Sequence, residues 1–342
     1  MMNAAEVIFF NPSDAYAYAA RISKKSDNPN DTLQALMVNV GEALNDQFYE
    51  QTSSVVFASA TLAIKDEVTA FEDAVGLHPA RTQEKKQAAL PPRNPAIRIV
   101  GENEDAFWAS LQDSQSQERG LTHELLLPSS YDFDRNMTIY VVEDMPEPNA
   151  PNYLAKLQEL LIAAHRAQNG SMLTLFTNRK EMEQCFNVVQ PALKTDDLRV
   201  VCQKWGTSVK GLRDDFLSDK HLSLFALKSF WEGFDAPGAT LRGVIIPKLP
   251  FGKPTDPLSC ERGERDRSAW YNYVLPAAII ETKQAAGRLI RSAEDKGSLI
   301  FADKRLLTKS YGDKFLKSMP SKTIRKVTMH ELARSLESCP EA

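Results

Sequence analysis

Three polar residues, Gln284, Arg288 and Arg291, recur at i, i+4 and i+7 within Glu281–Arg291 (ETKQAAGRLIR). On a continuous helix that spacing aligns them on one stripe. Ala285, Ala286 and Gly287 leave little bulk between them, and Leu289 and Ile290 supply an apolar face for packing. A guanidinium stays charged at any physiological pH, and its planar fork matches two phosphate oxygens at once, so the stripe suits an anionic ligand. A solvated basic helix face has the same spelling.

Other segments offer complementary groups. Thr177 and Asn178 follow the apolar run Met172–Phe176 and open a helical pattern. A helix N-terminus there would present free N–H groups and a positive dipole end to a phosphate, or simply be capped. Lys228–Gly238 (KSFWEGFDAPG) combines Gly233 and Gly238, which permit tight turns, with the acceptors Glu232 and Asp235, suited to a ribose hydroxyl, a water or Arg288. Phe230 and Trp231 either stack on a base or fill the space beneath that loop. Ser59 and Thr61 follow Val55–Ala58, which reads as a short central strand.

Elements able to position these groups alternate along the chain. Strands are expected at Met137–Val142, Met172–Phe176, Leu198–Cys202, Leu222–Leu227, Gly243–Leu249 and Ser298–Ala302, the last taken as the final strand. Helices are expected at Asn152–Gln168, from Thr177 through Val189, at Val209–Leu217 and around Glu281–Arg291. Such alternation implies βαβ units and a parallel sheet with helices on both faces, an α/β fold. Nearer the N-terminus, Leu33, Leu36, Met37, Val40 and Leu44 are spaced as a helix, and Glu67–Leu77 as another. Residues 79–93 read as an exposed connection, 102–119 as a polar loop or a solvent-facing helix, and the charged stretch Ser259–Asn272 as solvated surface or an insertion facing DNA.

Taken together, SATL (59–62), GSMLTLFTNRKEME (170–183), SFWEGFDAPG (229–238), IIPKLPFGKPTDP (245–257) and QAAGRLIRSAEDKGSLIFADKR (284–305) resemble motifs III, IV, V and VI of DinG/XPD-like superfamily 2 DNA helicases, in order. The resemblance covers about Ser53 to Ser321. It implies a RecA-like sheet flanked by helices, with residues 1–64 the end of a first motor domain, 65–321 the second, and 322–342 a C-terminal tail. It also implies roles: Arg288, Arg291 and Gln284 at the reacting phosphates; Gly233, Asp235, Glu232, Ser59 and Thr61 in nucleotide binding and coupling; Thr177, Asn178 and Trp231 on the nucleic-acid strand.

Phosphoryl transfer in this class needs a G-x-x-x-x-G-K-S/T loop and a DEAH-type acidic box to hold phosphates and Mg²⁺. Neither occurs in the 342 residues. Gly252-Lys253-Pro254 has the wrong spacing, and His330-Glu331-Leu332-Ala333 lies near the end of the chain. ATP and Mg²⁺ are therefore expected only together with a missing N-terminal motor domain, encoded upstream or on a separate polypeptide, and the chain alone is expected to be inactive. Cys185, Cys202, Cys260 and Cys339 are scattered, so no iron–sulfur cluster of the family type is expected, and the five isolated histidines suggest no metal site. A net charge of −4 confines any nucleic-acid contact to a local basic surface, with weak binding of single-stranded DNA expected. With no run near the ~18 apolar residues of a membrane span, a cytoplasmic location is expected. The alternative to a helicase motor half in DNA unwinding and repair is a catalytically inactive RecA-like module that binds nucleic acid or a partner.

Overall fold

The computed structural model describes residues 8, 13–22, 31–65, 67–77, 97–100, 123–204, 206–230 and 240–338. The chain divides into two compact units, Met1–Pro128 with Phe251–Ala277, and Ser129–Pro250 with Ala278–Ala342.

In the first unit, β1 (Tyr16–Arg21) and β2 (Thr32–Met37) pair antiparallel, Tyr16 opposite Met37. The expected helix therefore begins only at Val40–Gln47, capped by the Asn39 side chain on Gly41 N. Leu33, Leu36 and Met37 have helical spacing, but cross-strand backbone bonding prevails, and Leu33 stays 52% exposed as a result. A second helix, Thr69–Val75, ends at Gly76, whose φ of 76° suits a residue without a Cβ. The helices approach so closely that a Cβ on Gly41 would lie 2.4 Å from the Gly76 Cα. β3 (Ile97–Val100) and β4 (His123–Leu126) form a separate parallel pair, and the helix Pro257–Arg265 sends Arg262 to the Val38 carbonyl at 2.9 Å.

Val55–Ala58 is not a strand. No ladder partner lies beside it among the described residues, and Val56 is 87% exposed. An isolated β-branched run gains nothing from an extended conformation without neighbours to satisfy its backbone.

The second unit holds a seven-stranded sheet. Its strands are β5 (Met137–Val142), β6 (Met172–Leu175), β7 (Val200–Cys202), β8 (Ser223–Ala226), β9 (Gly243–Ile246), β10 (Gly297–Phe301) and β11 (Ile324–Val327). They lie in the order β11-β5-β10-β9-β6-β8-β7, and every neighbouring pair is parallel. Strands β6, β8, β9 and β10 are buried at every position, which explains their continuous apolar spelling. Helices Tyr153–Gln168, Arg179–Lys194 and Val209–Ser218 make the crossovers between β5 and β8. Asn169 (φ 55°) and Gly170 (φ 79°) end the first of them in left-handed conformations, and a Cβ on Gly170 would collide with the His221 carbonyl.

The sheet-bearing unit comprises Ser129–Pro250 and Ala278–Ala342, and its last residues contribute a strand and a helix. β11 forms the sheet edge beside β5, and the helix Met329–Glu337, with a Thr328–Glu331 capping box, buries Leu332 and Leu336 in the core.

One core residue makes stability pH-dependent. His165 is fully buried; its Nδ1 lies 2.6 Å from the Leu161 carbonyl, and its ring meets Phe225 edge-on. Burial lowers its pKa from 6.5 to about 4, against the opposing pull of the Leu161 bond. The unfolded chain thus binds a proton more readily than the folded one, so this contribution is intact above pH 6.5 and is lost as pH falls toward 4. The loss amounts to about 3 kcal/mol at roughly 1.36 kcal/mol per pH unit. Urea unfolding from pH 7 to 4.5 should show wild type losing stability relative to His165→Gln, and parallel pH curves would contradict the assignment.

Candidate functional site

Chemistry-bearing residues gather where the parallel strands end. β6 runs out at Leu175, Phe176 N still bonds the Ala226 carbonyl at 2.8 Å, and Thr177 and Asn178 then emerge exposed. Asn178 is the N-cap of the Arg179–Lys194 helix, its Oδ1 accepting from Lys180 N at 2.9 Å. Its acceptor is thus committed to the cap, and its amide nitrogen and the Thr177 hydroxyl are the groups left for a ligand. The first turn also carries Lys180, exposed. Gln203, invisible as a motif, locks this edge. Its carbonyl accepts from Arg179 Nη1 at 3.0 Å, its Oε1 from Leu227 N at 2.9 Å, and its Nε2 donates to Ser229 Oγ at 2.7 Å.

Beside this cap lies a cavity of about 240 Å³ lined by Pro148, Pro151, Asn178, Lys180, Glu181 and Lys248 among others. Lys248 follows the end of β9. Its Nζ is 2.8 Å from Glu181 Oε2 and 4.8 Å from the Tyr153 ring centroid. Tyr153 is itself fixed by donating to the Pro247 carbonyl at 2.5 Å. Burial foremost, and then the Glu181 charge, raises the Tyr153 pKa far above its ordinary value, so the phenol remains a neutral donor. Lys248 and Glu181 are too far apart in sequence for any spacing rule to pair them.

At the same edge Asp303, fully buried at the end of β10, accepts from Leu249 N at 2.9 Å and from Arg305 Nη2 at 2.6 Å. Burial by itself would lower the Arg305 pKa, but the hydrogen bond and charge of Asp303 outweigh it and raise it.

The arginine stripe is not a continuous helical face. The helix Leu275–Ala286 stops before Gly287, and Arg288 N and Leu289 N bond i−3 carbonyls (Ala285 at 3.3 Å, Ala286 at 3.1 Å) in a tightened last turn. Gln284 is therefore helical, Arg288 sits in the turn, and Arg291 lies beyond it. Three things end the helix. Gly287 weakens it, the Asp295 carboxylate collects Arg291 N and Ser292 N at 2.8 and 2.9 Å, and Leu289 packs directly against Gly297 at the start of β10. Arg288 is 5% exposed, and Arg291 is half-buried with its Nε on the Arg288 carbonyl at 3.2 Å.

These arginines precede β10, on the side where strands begin. Asn136, just before β5, donates there to the Ala293 carbonyl at 2.9 Å. Thr177 and Asn178 occupy the opposite edge, where strands end. Trp231, Glu232, Gly233 and Asp235 lie outside the described residues. Ser59 and Thr61, 3.3 Å apart through their hydroxyls, belong to the other unit. Among the described residues, no group of three or more His, Cys, Asp or Glu is placed to hold a metal.

Comparison with known proteins defines the class. Residues 161–322 match the helicase C-terminal domain family. The chain is 31% identical over 294 residues to the ATP-dependent DNA helicase YoaA of Escherichia coli K12, covering 84% of this chain and 39% of that protein. It is 26% identical over 307 residues to the ATP-dependent DNA helicase DinG of Photobacterium profundum (87% and 39%) and 24% identical over 333 residues to the protein named 3'-5' exonuclease DinG in Bacillus subtilis (95% and 32%). A solved XPD helicase structure aligns with TM-score 0.46 and 18% identity over 65% of this chain and 45% of that one. The chain thus spans about two fifths or less of the length of these curated relatives. Over most of its length the chain is similar to one part of the DinG and YoaA DNA helicases, the part that includes its match to the helicase C-terminal domain family.

Proposed function

We propose that this chain is the C-terminal motor domain of an ATP-dependent DNA helicase acting in DNA unwinding and repair, in which the two edges of one sheet serve two ligands. The observation that carries this reading is the separation of basic groups on a helicase C-terminal domain. Lys180 and Lys248 flank a helix N-terminus where the strands end, and Arg288 and Arg291 sit where they begin. The first edge contacts a single DNA strand through Thr177, Asn178 and Lys180, and Trp231 is a further strand contact. The second contributes charge to a nucleotide site completed by another domain, with Gln284 orienting and Gly233, Asp235 and Glu232 coupling.

The residues present fit part of a triphosphate site. Burial lowers the Arg291 pKa; Asp295 and Tyr131 oppose that, and Arg213 adds to it. A half-desolvated cation near a second cation is favoured by an anionic oxygen. Bound with Mg²⁺, ATP supplies the transferable phosphoryl group; this chain's share is charge neutralisation. The phosphate cradle must come from an N-terminal motor domain, on the same protein or a separate polypeptide. The burial of Arg288 favours a second reading, an inactive strand- or partner-binding module in which that guanidinium is structural. Either function fits a cytoplasmic protein, and among the described residues no helix is long and apolar enough to cross a membrane.

Anisotropy with labelled oligothymidylate tests the motor reading. The 342-residue chain should bind with a Kd of roughly 10⁻⁶ M or weaker at physiological salt, more weakly still in Lys180→Gln, because a single motor domain neutralises few phosphates. It should turn over no ATP. Sub-micromolar binding would favour the module instead, and DNA-stimulated hydrolysis lost in Arg288→Ala would contradict the need for a second domain.

A further inference from the structure

We propose that Lys248 is a contact to a strand phosphate and that Glu181 limits its strength, so that this edge of the sheet holds the strand and also lets it go. The inference rests on the strand-binding reading above and adds to it a cation and an opposing carboxylate. Lys248 lines the same cavity as Asn178 and Lys180, and its side chain remains 24% exposed. Of its three N–H donors, one is 2.8 Å from Glu181 Oε2, and the ammonium lies 4.8 Å from the Tyr153 ring centroid. That geometry fixes the head at the cavity and leaves donor capacity for an anionic oxygen. Lys180, from the capped first turn, supplies a second cation on the same wall.

Glu181 is the unusual member. The residue is 8% exposed, and its Oε1 is buried with no hydrogen-bond partner. A carboxylate satisfied on both oxygens would be a settled structural ion pair; this one is bonded on one side only, in a wall otherwise built for an anion. A phosphate approaching Lys248 meets the Glu181 charge next to the ammonium, and the low local dielectric strengthens that repulsion. The carboxylate both orients Lys248 and lowers the affinity of the contact it makes.

Binding of the full chain to oligothymidylate, measured as log Kd against log salt, tests this. Lys248→Gln should weaken binding and reduce the salt slope by about 0.7, the share of one single-strand phosphate contact. Lys248→Arg should keep the slope that Lys248→Gln loses, whereas a purely structural role for the lysine would leave the slope unchanged in both. Glu181→Gln, close in shape and uncharged, should tighten binding several-fold. Urea midpoints on the same samples identify any variant that has lost its fold, and the Lys248→Arg and Glu181→Gln outcomes stand independently of Lys248→Gln. A reduced slope in Lys180→Gln with none in Lys248→Gln would overturn this inference and leave the strand reading intact. Unchanged slopes in both would overturn the two together. Displacement of the strand by millimolar ATP from wild type but not from Lys248→Gln would show that the cavity takes a nucleotide, which also overturns it.

Discussion

Asp303→Ala is expected to cost about 3 kcal/mol of stability, because it removes the buried acceptor on which the Arg305 guanidinium and Leu249 N converge. Breaking a buried ion pair from one side costs about 3–5 kcal/mol, and the lower end applies since the Arg305 side chain is 26% exposed and can turn toward water. Asp303→Asn keeps an acceptor for Leu249 N and should lose less. Pairing Asp303→Ala with Arg305→Met, which removes the stranded charge, should recover part of the loss. Urea unfolding reads all three. A double variant no better than the sum of its parts would show that the backbone bonds Asp303 accepts, from Leu249 N at 2.9 Å and Arg305 N at 3.1 Å, rather than the charge pair, carry the effect.

Alanine at Arg288 or Arg291 is expected to reduce ATP turnover by about 10³-fold once residues 129–342 replace the matching part of a full-length relative that has its own phosphate loop. Neutralising charge on the transferring phosphoryl group is the dominant task left to a domain without that loop. Lysine keeps the charge but not the fork, so Arg288→Lys and Arg291→Lys should resemble alanine more than the parent. Gln284→Ala should be milder. The structure sharpens the comparison, since Arg288 is buried and Arg291 half-buried. If Arg288 is only structural, Arg288→Ala will lower the unfolding midpoint together with turnover, whereas a role at the phosphates lowers turnover alone. Full activity in the Arg288→Ala, Arg291→Ala double variant would make both arginines dispensable.

Most of the sheet was legible in the sequence for a simple reason. Strands β6, β8, β9 and β10 are buried on both faces, so nothing polar interrupts their apolar spelling. β11 escaped notice because it is an edge strand; Arg325 and Lys326 are exposed, and the pattern shrinks to Ile324 and Val327. Thr32–Met37 was misread because helical and extended spacing are hard to separate over six residues, and only the partner strand, sixteen positions upstream, decides. The arginine spacing suggested a single face, yet it depended on the helix continuing past Gly287, which the Asp295 loop and the seating of Leu289 prevent. Thr177 and Asn178 were found because capping is local. Lys248–Glu181 and Gln203 were not, because each joins segments distant in sequence whose proximity exists only in the folded sheet.

The most direct test of the account is ATP turnover by the same chimaera without any substitution, measured with and without single-stranded DNA after circular dichroism has established that it is folded. We expect hydrolysis that DNA stimulates, since residues 129–342 would then supply both the strand edge and the arginines to a complete site. A folded chimaera that binds DNA but hydrolyses no ATP would contradict the motor assignment and leave the binding-module reading in its place.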